Sequence, residues 1–226
     1  QLDRPPDPRT KGTGRMTEPI LLEVNEISRS FGKFQALHHV SLSIPAGRLC
    51  ALIGPNGAGK TTFYNVVSGR YRPTSGRVFF GGRDITHAPV HRRVELGLLR
   101  SFQITNIFPA LTVVENVLVP LVVHHGQSFA CLGSIAKRGD LAEEAEQILS
   151  RVGLSGQSRR VVSTLAYGDK RLIEIAIVLA RRPRLVLLDE PTAGMNPEET
   201  DRMIRLIKEL SERSETTFFI TEHDMK

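Results

Sequence analysis

An α/β fold around a parallel central sheet follows from three features of this sequence. Leu185-Val186-Leu187-Leu188 is continuously apolar, the pattern of a parallel strand covered on both faces. Helical periodicities alternate with such strand-length runs over much of the chain. A further run, Leu49-Cys50-Ala51-Leu52-Ile53, leads straight into Gly54-Pro55-Asn56-Gly57-Ala58-Gly59-Lys60-Thr61.

That octapeptide fits G-x-x-x-x-G-K-[ST] at every fixed position, and Thr62-Phe63-Tyr64-Asn65-Val66-Val67-Ser68 reads as a helix ending at Gly69. The loop therefore lies between a buried strand, expected to be central in the sheet, and a helix start. Glycines allow a tight bend that turns successive N–H groups onto a phosphate. The helix N-terminus adds partial positive charge at the same spot. In this pattern Lys60 reaches the β- and γ-phosphates and the Thr61 hydroxyl ligates Mg²⁺.

With 226 residues the sequence has room for one large α/β domain. The net charge is +6, but Arg and Lys are scattered, with one dense tract at Arg181-Arg182-Pro183-Arg184. This reads as a solvated surface and not as a nucleic-acid face. Two cysteines, Cys50 and Cys131, exclude a disulfide framework and fit a reducing cytoplasm. The pairs His38-His39 and His124-His125 are expected at the surface with diverging side chains, since no Cys/His spacing suits a metal. No signal peptide is visible in these residues, and the longest apolar run, Leu118 to Val123, is too short to span a bilayer. A soluble protein, or one held at a membrane by a partner, is expected.

Residues 1–17, rich in Pro, Arg, Gly and Thr, read as a disordered leader, and 18–226 as the domain. Strands are expected from Ile20 to Val24, in alternating Val40-Ser41-Leu42-Ser43-Ile44, and at Arg77 to Phe80, which together suggest an antiparallel β subdomain. Turns are expected at Arg29 to Phe34 and Pro73 to Gly76. Pro89 to Leu96 suits a short helix, and Leu98 to Phe102 a strand that runs into Gln103. From about 104 to 180 the chain reads as a helical insertion. It holds an apolar helix over Val113 to Val123, interrupted by Pro120. Asp140 to Val152 follows as an amphipathic helix with Leu141, Ala145, Ile148, Leu149 and Val152 on one face. Glu143, Glu144 and Glu146 form its solvated side. Leu172, Ile175, Ala176 and Leu179 give the buried face of another helix. Asn196-Pro197-Glu198-Glu199 has the N-cap, first-position Pro and third-position Glu of a helix start, with Met203, Leu206, Ile207 and Leu210 on its core face. Thr216 to Ile220 reads as the last strand.

Asp189-Glu190 follows the buried strand directly. Carboxylates at the C-terminal end of a parallel strand border the ligand crevice. Asp189 suits the metal on the phosphates, and Glu190 is placed to polarise an attacking water. Gln103, at the end of one strand, and His223, just after another, converge on the same edge within reach of a γ-phosphate.

This ordered set resembles the ATP-binding subunit of an ABC transporter, over residues 20 to 226. The family's Walker A matches Gly54 to Thr62, its Q-loop Ser101-Phe102-Gln103, its signature Leu165-Ala166-Tyr167-Gly168-Asp169-Lys170-Arg171 and its Walker B Leu185 to Pro191. Its D-loop matches Ala193-Gly194-Met195-Asn196-Pro197, and its switch histidine is His223. The resemblance implies a P-loop ATPase core and catalytic roles for Glu190, His223, Gln103 and Lys60. It implies ATP binding by Phe31, Gly54, Pro55, Asn56, Gly57, Ala58, Gly59, Lys60, Thr61, Thr62, Ala166, Tyr167 and Gly168, and Mg²⁺ held by Thr61, Gln103 and Asp189. A head-to-tail dimer with an identical or sister cassette is implied, with ATP between one phosphate loop and the other signature. Membrane permease subunits would contact the helical insertion at the cytoplasmic face of the inner membrane, and a periplasmic solute-binding protein would act indirectly.

The wording around Gln103, the signature and Ala193 to Thr200 resembles ATPases for uptake of branched-chain amino acids, amides or urea. Three positions depart from the family pattern: Ala166 lacks the usual serine hydroxyl, Asp169 replaces glutamine, and Phe31 stands for tyrosine. The family's domain also continues past the switch histidine, so a truncated end is expected. An exporter ATPase, a soluble ABC protein acting on ribosomes or DNA, and a non-catalytic regulator are the alternatives. Against the soluble protein, the chain shows neither a second cassette nor a long coiled coil. Against the regulator, Glu190, Gln103 and His223 are all present.

Overall fold

The computed structural model describes residues 19–101, 107–126, 139–213 and 216–222. The leader, Cys131, Phe102, Gln103 and His223 lie outside the described residues. Two four-stranded sheets carry the chain. One is antiparallel, in the order β2-β1-β4-β5, from β1 (Ile20–Phe31), β2 (Phe34–Pro45), β4 (Ser75–Phe80) and β5 (Arg83–Asp84). The other is parallel, in the order β3-β8-β7-β6, from β3 (Leu49–Ile53), β6 (Leu98–Arg100), β7 (Leu185–Asp189) and β8 (Thr217–Glu222). The helices are α1 (Lys60–Val67), α2 (Val90–Glu95), α3 (Val113–His124), α4 (Gly139–Arg151), α5 (Tyr167–Leu179) and α6 (Pro197–Arg213).

β7 divides the core in two. Its side chains alternate faces, as strand geometry requires. Leu185 and Leu187 join Phe63 and Tyr64 of α1 and the antiparallel sheet, while Val186 and Leu188 join the helices of the insertion. All four are fully buried. α4 places Leu141, Ala145, Ile148 and Leu149 inward, with Val152 just beyond it, as the periodicity predicts.

Several expectations are corrected. β3 is not central: among the described residues it ends its sheet, paired with β8 alone, and Ile53 is 51% exposed because nothing covers its outer side. The turn expected at Arg29 to Phe34 shrinks to Gly32-Lys33, since Phe31 and Phe34 pair directly across a two-residue hairpin loop. Pro120 does not interrupt α3. Its cost of about 3 kcal/mol is outweighed by burial of Val113, Val117, Leu121 and Val122, each contributing about 1.5–3 kcal/mol. Glu144 is not simply solvated: it accepts from Arg182 at 2.8 Å and meets His125 at 3.1 Å, tying α4 to the ends of α3 and α5. The paired histidine rings meet edge-on, at 4.5 Å for His38-His39 and 5.5 Å for His124-His125. His39 is in a left-handed conformation, φ 46°, which turns it back toward its neighbour.

Arg93 departs from the solvated-surface reading most sharply. It is 1% exposed, and its guanidinium donates to the carbonyls of Val66, Val67, Thr86 and Ala88 at 2.7–3.1 Å. Burial lowers its pKa to about 10. The charge sits at the negative end of the α1 dipole and fixes that end of the phosphate-loop helix. Gly69, φ 83°, is required here, because a Cβ would lie 2.6 Å from Arg93 Nε.

Leu149→Ala is expected to lower the unfolding free energy by about 2–5 kcal/mol in urea titrations. Glu143→Ala on the exposed side of the same helix should change it by less than about 0.5 kcal/mol.

Candidate functional site

The phosphate loop leaves a helix end open to a ligand. α1 begins after Gly59 with no side-chain cap and no acidic residue in its first turn. α3 and α6, by contrast, close their own N-termini with reciprocal capping boxes, Thr112 with Glu115 and Asn196 with Glu199. Gly57 and Gly59 take φ 81° and 88°. The space around Gly57 is open, whereas a Cβ on Gly59 would meet the Ala36 carbonyl at 2.8 Å and Leu37 at 3.0 Å. This close approach seats the loop on β2. Gly54, Pro55, Asn56 and Ala58 complete it, with Pro55 to Ala58 exposed. Lys60 is 8% exposed, and its ammonium donates to the carbonyls of Gly54 and Pro55. Thr61 is exposed and Thr62 half-buried.

The end of β7 is held by an enclosed polar cluster. Asp189 Oδ2 pairs with Arg100 at 2.7 Å, and Oδ1 accepts from the Thr221 hydroxyl at 2.7 Å. Arg100 also donates to Asn65 Oδ1 on α1 at 2.6 Å. Thr221, fully buried, and its own carbonyl receive the Glu190 N–H at 3.2 Å each. Glu190 stands at φ 50°, a backbone conformation costing about 1–3 kcal/mol for a non-glycine residue. Stored strain at a strand-end carboxylate points to function. Burial, followed by the nearby Asp189 charge, pushes the Tyr64 hydroxyl well above its usual range; it donates to the Phe219 carbonyl at 2.5 Å. The chemistry of the set suits a hard cation: an exposed hydroxyl on Thr61 and a carboxylate on Asp189. Arg100, Asn65 and Thr221 were not among the expected site residues. A cation inside the apolar run Leu98-Leu99-Arg100 was their available signal, because a buried charge requires a partner.

Phe31, 40% exposed, carries the Arg29 guanidinium 4.6 Å from its ring centre and meets Tyr71 edge-on at 5.4 Å. The expected signature begins α5: Ala166 is its N-cap, again with no side-chain cap. Tyr167 reaches the Ala193 carbonyl at 3.3 Å, and a Cβ on Gly168 would lie 2.5 Å from Glu199 Oε1. Asp169 is turned toward Arg202, at 3.5 Å. The structure thus brings Lys60, Asp189 and Glu190 to one edge of the parallel sheet and packs Tyr167 against Ala193 and Gly194 and Gly168 against Glu199. Gln103 and His223 lie outside the described residues.

Residues 37–193 match the profile of the family described as "ABC transporter". The chain is 38% identical over 218 residues to the high-affinity branched-chain amino acid transport ATP-binding protein LivG of Salmonella typhimurium, covering 93% of this chain and 84% of that protein. The corresponding protein BraF of Pseudomonas aeruginosa gives the same identity and coverage. A crystal structure of the ADP conformation of an ATP-binding cassette of an ABC transporter superposes with a TM-score of 0.80 at 32% identity, covering 92% of this chain and 82% of that one.

Gly59→Ala is expected to weaken ATP binding by about tenfold or more in calorimetry, because both its φ and its contact with Ala36 oppose a side chain. Gly57→Ala, strained in φ but with open space, should lose less.

Proposed function

The chain belongs to the ABC transporter family as an ATP-binding, ATP-hydrolysing transporter subunit, and we propose that it powers uptake of branched-chain amino acids from the cytoplasmic face of the inner membrane. The cluster at the end of β7 supports the catalytic part of this reading: it ties Asp189, through Arg100 and Asn65, to the helix whose N-terminus is uncapped. The LivG and BraF likeness supports the substrate class. Among the described residues no helix is long and apolar enough to cross a membrane, so transport requires membrane permease subunits.

The backbone N–H groups of Gly57 to Thr61 and the α1 dipole bind and orient the phosphates. Lys60 exchanges its loop carbonyls for phosphate oxygens. Mg²⁺, when bound, neutralises charge on the phosphates; Thr61, Gln103 and Asp189 are the oxygen donors we assign to it. Glu190 takes the proton of the attacking water, and His223 and Gln103 orient groups around the γ-phosphate. Phe31 stacks on adenine. Ala166, Tyr167 and Gly168 serve the nucleotide of a second cassette, identical or sister. The uncapped start of α5 supports this, because its first N–H groups are not consumed by a side chain. Backbone donors thereby stand in for the absent serine hydroxyl, while Asp169 is engaged by Arg202 of its own chain.

A groove of about 490 Å³ separates the α1–β6 side of the core from the insertion, with Val90, Val94, Leu99, Pro120, Ile177 and Val178 in its wall. Its apolar lining, with Arg70 and Arg181 beside it, suits an apolar segment of the permease. A periplasmic binding protein delivers the amino acid on the other side of the membrane.

Glu190→Gln should keep ATP affinity, lower turnover by about 10²- to 10⁴-fold, and accumulate ATP-bound dimers visible by light scattering. Unchanged turnover would remove Glu190 from the mechanism. In cells, Lys60→Ala should abolish energised leucine uptake; loss of urea uptake with leucine uptake intact would reassign the substrate.

A further inference from the structure

We propose that Arg100 competes with the metal for Asp189: it pairs with Oδ2 and must release it for Mg²⁺ to bind there, so that it sets the affinity of the site for the metal. This rests on the assignment of Asp189 to Mg²⁺ made above. The pair is enclosed, with side chains 11% and 1% exposed. Arg100 takes one carboxylate oxygen and the Thr221 hydroxyl takes the other. A divalent cation brought to the same carboxylate would face the guanidinium in a water-poor site, where like charges repel more strongly than in solution.

The anchorage of Arg100 favours release toward α1. Its second donor holds Asn65, which stands four residues after Thr61 and therefore on the same helix face, one turn along. A guanidinium that leaves Asp189 can keep this bond, which ties it to the middle of α1 and away from the carboxylate. Its third donor, Nε, is buried with no hydrogen-bond partner among the described residues. The cation is thus incompletely satisfied where it sits, which lowers the cost of moving it. Arg100 is a positioning residue and touches no reacting atom.

The test titrates the full chain with Mn²⁺ in the presence of ATP and reads free Mn²⁺ by electron paramagnetic resonance. Arg100→Met is expected to tighten Mn²⁺ binding by about tenfold or more. Arg100→Lys, which keeps the charge, should stay within about threefold of wild type. Damage to the fold would weaken metal binding, so a gain is the diagnostic result. Unchanged or weakened binding in a folded Arg100→Met chain overturns the proposal. A measurement on the wild type guards against a variant that fails to fold: the Arg100 Nε resonance should shift with ATP plus Mg²⁺ and stay in place with ATP alone. An unmoved resonance on adding Mg²⁺ also overturns it. If the wild type binds neither ATP nor Mn²⁺, the nucleotide-site reading itself fails. If it binds both without these effects, only the role of Arg100 fails.

Discussion

The carboxylate of Asp189 is the constraint around which the parallel sheet is arranged. It terminates a strand whose other four side chains are fully buried, and it is itself 5% exposed. A charge in such surroundings costs several kcal/mol unless paired, and loss of one member of a buried pair typically costs about 3–5 kcal/mol. The partners come from three elements: Arg100 ends β6, Thr221 lies in β8, and Asn65 joins through Arg100 from α1. Satisfying one carboxylate therefore registers the phosphate-loop helix against both neighbours of β7. Thr221 continues the chain of contacts to the backbone of Glu190. The position of the Glu190 backbone relative to α1 is in this way fixed by hydrogen bonds and not by packing alone.

Arg93 and Arg100 hold the same helix from the same stretch of chain. Arg93, on α2, takes the last carbonyls of α1, and Arg100, at the end of β6, reaches its middle through Asn65. The segment between them leads on to Gln103. The two arginines thereby tie both the end and the middle of α1 to the stretch that runs from α2 into β6.

What was legible in the sequence is what local spacing decides. The phosphate loop, the inward face of α4, the reciprocal cap of Asn196 with Glu199, and β7 as a two-sided buried strand all depend on residues within a few positions of one another. What was not legible depends on partners far apart in the chain. Arg93 and Arg100 look like members of a scattered basic surface until Val66, Asn65 and Asp189 are brought beside them. Glu144 looks solvated until Arg182, 38 positions on, folds back to it. β3 has the apolar composition of a central strand, yet it pairs on one side only, because composition records burial potential and not sheet order. The roles of Gln103 and His223 rest on the family resemblance, since both lie outside the described residues.

Two helices at the candidate site begin differently from α3 and α6. α3 and α6 cap their N-termini with side chains, worth about 0.5–2 kcal/mol per cap, while α1 and α5, which carry the phosphate loop and the signature, do not. Glu190 holds a left-handed backbone that an ordinary strand end would avoid. Arg100 keeps a buried donor unpaired. The uncapped helix starts and the unpaired Arg100 Nε cost the chain stability, and each leaves a donor or a dipole available to a ligand. Unused donors at the start of the phosphate-loop helix and beside Asp189 are what a site completed by binding is expected to show. On this view nucleotide does more than occupy a preformed loop: it supplies partners for backbone donors that the fold leaves unsatisfied, and that gain is binding free energy on which an ATP-hydrolysing transporter subunit can draw.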